Sequence, residues 1–262
     1  ERRFVFILPK RFREIQNVVR EFSAVTTLRN ASINDKVLFD EYEVIYEDLR
    51  EVIGSFINAY THPEEYKSTY IHAGSQQTIN RKAALTELLS QICDDVYALT
   101  PVINIEAINQ NNITSIAKNS RAKVIAALLR NELEPSLGLS GSGQEVSIMR
   151  STLVKTGVLC DSNGIADIIL APEDKLMHHL MDEIIAFILD ARAAGKLCFS
   201  KLYERLCSPD GHIGLRRGLI PIYLAAVFHK YKRELIIEDK NTQIPLNADA
   251  LLQINATPES FY

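Results

Sequence analysis

Residues 215–246 read LRRGLIPIYLAAVFHKYKRELIIEDKNTQIPL, and their pattern decides the fold of the C-terminal part. Across 219–228 almost every side chain is apolar, over a length that suits a helix better than a strand. Pro221 falls inside that run, so it either kinks the helix or marks its first turn. The flanks are basic: 215–234 holds five Lys/Arg against the single acid Glu234. Beyond it, 235–238 and 243–246 flank Asp239-Lys240-Asn241-Thr242, a strand–turn–strand pattern. Upstream, helical spacing predicts helices over 176–194, stopped by Gly195, and over 199–206. Pro172 opens the region, and Asn247 caps a closing helix over 247–255. Three helices followed by a β-ribbon is the order of a winged helix. Residues 172–262 are therefore expected to form a winged-helix-like domain with a small β-ribbon.

Working outward, the rest also reads as mainly α. Amphipathic spacing predicts helices over 35–60, 81–99 and 113–132, with Ile116, Val124, Ile125, Leu128 and Leu129 inside the last. Residues 64–78, polar and aromatic, read as irregular. Glu145 opens a short helix to Thr156, capped by Gly157. A hairpin on Asn163-Gly164 follows, so a small winged element is expected within this helical domain, 35–171. Residues 4–8 are continuously apolar and closed by Pro9, as in a parallel-sheet strand buried on both faces. With a helix over 12–28, and no starting methionine, 1–34 reads as the strand–helix remnant of an upstream α/β domain.

Bulk properties bound the chemistry. The 262 residues are 47% hydrophobic and 24% charged, with net charge -4. That balance gives no general attraction to nucleic acid or acidic membrane. No apolar run approaches the roughly 20 residues that span a bilayer. Cys93, Cys160, Cys198 and Cys207 form no CxxC pair, which argues against zinc and for reduced, mostly buried thiols of a cytoplasmic protein. His178-His179, with Asp182 and Glu183 one turn on, read as solvated helix pairs, because adjacent helical residues point apart. Residues 138–143 are glycine-rich but lie among acids without a lysine, so they read as a turn rather than a phosphate cradle. A nucleophilic role for Cys207 would need His212 as base across a Pro-Asp-Gly turn. No catalytic, cofactor-binding or metal-ligating residue is assigned.

Three segments carry a family resemblance: YALTPVINIE at 97–106, LGLSGSG at 137–143, and LCSPDGHIGLRRGLIP from 206, continuing to Ala226. They resemble regions downstream of the nucleotide-binding core in large bacterial P-loop ATPases of anti-phage defence, the BREX-type ATPases, over most of the chain from about Asp35. The resemblance implies a non-catalytic accessory region that couples nucleotide state to DNA or partner subunits. It assigns no ATP contact here, since G-x-x-x-x-G-K-[ST] is absent. The alternatives are a free-standing winged-helix DNA-binding regulator with a helical dimerisation domain, and a pure scaffold. Candidate nucleic-acid contacts are Arg216, Arg217, Lys230, Lys232, Arg233 and Lys240. The apolar middle of the third helix offers no donors or acceptors to base edges, so any contact is expected to be weak and to phosphate.

Overall fold

The computed structural model describes residues 2–10, 12–58, 60, 62–65, 67–162 and 164–262, with the side chains of 12–14 and 162 outside the description. The chain is mainly helical with three small antiparallel sheets among the described residues. It divides into two compact units, Glu1–Asp95 and Val96–Tyr262. Residues 34 and 171, after which boundaries are expected, each lie inside one of these units.

In the first unit, β1 (Val5–Pro9) pairs antiparallel with β2 (Ser68–His72), which pairs with β3 (Ser75–Gln77). This corrects two expectations. β1 is an edge strand of an antiparallel sheet, and Phe4, Phe6 and Leu8 lie exposed rather than buried. Residues 64–78 hold a hairpin, not an irregular stretch. Its two-residue turn, Ala73-Gly74, has positive φ at both positions (49° and 79°), as a twisted hairpin requires. Tyr70 anchors it, fully buried, with its hydroxyl donating to the Tyr60 carbonyl at 2.9 Å. Helices α1 (Phe12–Ala31) and α2 (Lys36–Asn58) pack against each other, and α3 (Lys82–Val96) follows.

The second unit holds the larger core. α4 (Ser115–Leu128) is capped by Thr114, whose side chain accepts from the Ala117 amide. Ile116, expected inside, is 73% exposed; the buried stripe is Ala117, Arg121, Val124, Ile125 and Leu128. The helix expected over 145–156 is split into α5 (Gln144–Met149) and a wide π turn, Arg150–Val154. The Thr152 carbonyl there takes hydroxyl donors from Thr156 and from Tyr223, at 2.6 and 3.0 Å. Side chains thus satisfy an acceptor that an α-helix would have paired with an amide. Gly157, at φ 72°, closes the segment: its amide donates to Val154 and the Val158 amide to Leu153, the Schellman pattern. β4 (Leu159–Ser162) and β5 (Ile165–Ile168) form the anticipated hairpin, whose Asn163 lies outside the described residues.

α6 (Lys175–Ala194) starts at its Asp174 cap and stops at Gly195, left-handed at φ 78°. α7 (Phe199–Cys207) follows, then α8 (Ile220–Tyr231). Pro221 sits in the first turn of α8, so it marks the start; Arg216 and Arg217 precede the helix in a turn rather than opening it. β6 (Ile237–Asp239) and β7 (Thr242–Ile244) pair around Lys240-Asn241, both at positive φ. α9 (Ala248–Ala256) is capped by the Asn247 side chain. The chain end covers the outer edge of β6, where Glu238 and Tyr262 exchange backbone hydrogen bonds of 2.9 and 3.0 Å. α8 is the axis of this core. Every residue across 220–228 is buried, and α4, α6 and α9 pack around it.

Candidate interaction surfaces

A helix apolar on all sides must be enclosed, and α8 is. It cannot also lay a face into a DNA groove. Its twelve residues span about 18 Å at 1.5 Å per residue, so the cations at its two ends form separate groups. Three of the six candidates are engaged within the fold. The Arg217 guanidinium lies 5.5 Å from the Tyr203 ring centroid, and its amide meets Asn111 Oδ1 at 3.3 Å. Lys230 Nζ is 2.5 Å from Asp167 Oδ1, and this hydrogen bond holds the Asp167 carboxyl below its ordinary pKa. Lys232 Nζ donates to the carbonyls of Arg130 and Asn131, both at 3.1 Å. Arg216, Arg233 and Lys240 are exposed and make no ion pair among the described residues.

Two of the quoted segments, 97–106 and the one from 206, meet in space. The Leu99 amide donates to the His212 carbonyl at 3.0 Å, and Thr100 Oγ1 donates to Ile213 O. Gly214, at φ 59°, lies where any side chain would strike the Tyr97 ring. Just beyond the first segment, the Gln110 carbonyl accepts from the Gly218 amide at 2.9 Å. His212 is committed: its Nδ1 is 2.9 Å from the Val96 carbonyl. Cys207 is half-buried, and burial pushes its thiol pKa up, away from the thiolate a nucleophile needs. Cys93 and Cys160 are exposed, contrary to the expectation of mostly buried thiols.

A seventh cation, Arg121, lies outside the six candidates. It is only 4% exposed, one guanidinium nitrogen donates to the Gly218 carbonyl at 2.9 Å, and its Nε has no partner. Burial lowers its pKa. The signal was present in the spacing: positions 117, 121, 124, 125 and 128 share one helix face, and an arginine on such a stripe is buried with it. It staples α4 to the turn before α8. Arg121→Met is expected to change stability by less than about 1 kcal/mol, since relieved desolvation offsets the lost hydrogen bond. Urea denaturation followed by circular dichroism checks this; a loss above about 3 kcal/mol would contradict it.

An apolar cavity of about 220 Å³ lies beside α6 and β6, lined by Phe187, Phe199, Phe228, Leu235, Ile237 and Tyr262. Its rim carries the Lys196–Glu238 pair at 2.7 Å, with Lys196 Nζ 4.4 Å from the Tyr262 ring centroid. The lining offers room for a small apolar group and no convergent polar set. His178 pairs with Asp182 at 3.4 Å on the surface of α6. No group of three or more potential ligands that could hold a metal occurs among the described residues, and no described helix is long and apolar enough to cross a membrane. Comparison with protein-family models, curated proteins and solved structures gave no match.

Proposed function

We propose that this chain is a non-catalytic interaction region of a larger bacterial P-loop ATPase of the BREX type, working in phage defence in the cytoplasm. In this reading α6 to β7 form a winged-helix-like domain used to hold partners rather than to read bases. Supporting it is the order of three helices and a ribbon, together with the resemblance of 97–106, 137–143 and the segment from 206. The observation that carries it is the burial of α8 across 220–228. With its third helix enclosed, such a domain meets other molecules through its outer surface. It would pass the nucleotide state of an upstream core to protein partners, with DNA touched only through phosphates.

The test is fluorescence anisotropy on several unrelated duplexes. Arg216, Arg233 and Lys240 can meet phosphates but are few and dispersed. Binding is expected to be non-specific, with a dissociation constant of roughly 10–100 µM, and to fade as salt rises. Replacing the three with Ala should abolish it equally for every duplex. Nanomolar binding to one duplex at physiological salt would overturn the reading in favour of the sequence-specific regulator.

A further inference from the structure

Helix α2 carries two apolar stripes on different sides. Phe39, Tyr42, Tyr46, Leu49 and Ile53 recur at three- and four-residue spacing and are half-buried. This stripe is used against α1. Tyr46 stacks on Phe22 with ring centroids 4.8 Å apart, and Arg29 lies over the rings of Phe39 and Tyr46, 4.8 Å from each centroid. At about 100° per residue, Val37 and Val44 fall on the far side of the helix and Val52 on its flank. They are 71%, 64% and 49% exposed, with Ile45 at the margin also exposed. α2 has no fully buried residue, so its second stripe is unused by the fold.

The charges on this far side have one sign. Glu41, Asp48 and Glu51 are interleaved with the valines and exposed, and a shallow groove lined by Asp48, Glu51, Val52 and Ser55 runs along it. Of the two cations of α2, Arg50 falls toward the α1 side and bonds to Glu47 at 3.1 Å, while Lys36, the first residue of the helix, lies on the flank opposite Val52. An apolar strip interleaved with carboxylates selects its occupant. A second copy would bring the same acids face to face, and an anionic lipid surface or nucleic acid would be repelled.

We propose that this face of α2 docks a basic amphipathic helix of a partner protein. Its apolar residues would lie on Val37, Val44 and Val52, with Lys or Arg heads opposite Glu41, Asp48 and Glu51. This is helix-in-groove recognition with anchors at three-, four- and seven-residue spacing. The surface belongs to the first unit and does not depend on the reading of α8.

The experiment uses the full chain and three labelled synthetic peptides of about 18 residues, long enough for one apolar stripe. One has a leucine stripe at helical spacing with lysine elsewhere, one carries glutamate in place of lysine, and one scrambles the lysine sequence. Anisotropy is expected to show the lysine helix binding at least about tenfold tighter than both others, as three exposed ion pairs on an apolar strip allow. The preference should shrink as salt rises. Val44→Lys, at a site exposed enough not to disturb folding, should remove it while leaving the circular dichroism spectrum unchanged. Equal binding of the scrambled peptide would reduce the effect to bulk charge and overturn the proposal. So would binding indifferent to Val44→Lys. Sedimentation showing a dimer that Val44→Lys dissolves would assign the face to a second copy instead.

Discussion

Gly218→Ala is expected to destabilise the second unit by on the order of 3–5 kcal/mol, or to prevent its folding. An added Cβ would sit 1.9 Å from the Ile108 carbonyl oxygen and 2.7 Å from that of Gln110. Both obstacles are backbone, so no rotamer change relieves them. The residue is also pinned on two sides. Its amide donates to Gln110 at 2.9 Å, and its carbonyl accepts from the buried Arg121, also at 2.9 Å. The glycine is required for space and not for conformation, because its φ is not left-handed. Gly54 makes the internal control. It lies within α2 with nothing within 4 Å of an added Cβ. Gly54→Ala should therefore stabilise by about 0.5–1 kcal/mol through helix propensity. Urea denaturation followed at 222 nm would measure both. A Gly218→Ala midpoint equal to that of the parent chain would refute the close approach of the two loops.

The same contact marks where sequence reading succeeds and where it stops. Local signals located most elements of the second unit. Gly195 stops α6, Asn247 caps α9, and Gly164, at φ 78°, stands between β4 and β5. Each of these rests on a residue acting on its own neighbours. What stayed hidden depends on residues far apart in the chain. The π turn at Thr152 needs the hydroxyl of Tyr223, which is 71 residues away. Gly218 looks like any turn glycine until Ile108 is beside it. In the first unit, 4–8 has the composition of a buried strand, yet its partner β2 leaves Phe6 and Leu8 uncovered. Ala-Gly at 73–74 carries a weaker turn signal than Asn-Gly, so the sequence there reads as irregular chain. Among the candidate cations, charge could be counted from sequence. That Lys230 and Lys232 are held by Asp167 and by backbone carbonyls could not.

Leu224→Ala should cost about 2–5 kcal/mol, toward the upper part of that range. Leu224 stands in the middle of α8 with 0% exposure, and so do its neighbours Tyr223 and Ala225. Truncating leucine loses the transfer free energy of the removed atoms and leaves a cavity, and the second cost depends on whether the walls can move in. Here they are restrained. α8 is fixed at its start by the turn that Arg121 holds and, one residue before Leu224, by the Tyr223 hydroxyl on Thr152. On its other sides α4, α6 and α9 already close-pack. A helix that read DNA would show the opposite sensitivity: its outward residues could be truncated with little effect on stability. Leu189 is the contrast within the same unit. It lies on α6 and is 52% exposed, so Leu189→Ala should stay within about 0.5 kcal/mol of the parent. Equilibrium urea unfolding of both variants separates the cases. A Leu224→Ala midpoint as small in its shift as that of Leu189→Ala would mean that α8 is not the axis of the core. The enclosure on which the partner-holding reading rests would then be lost.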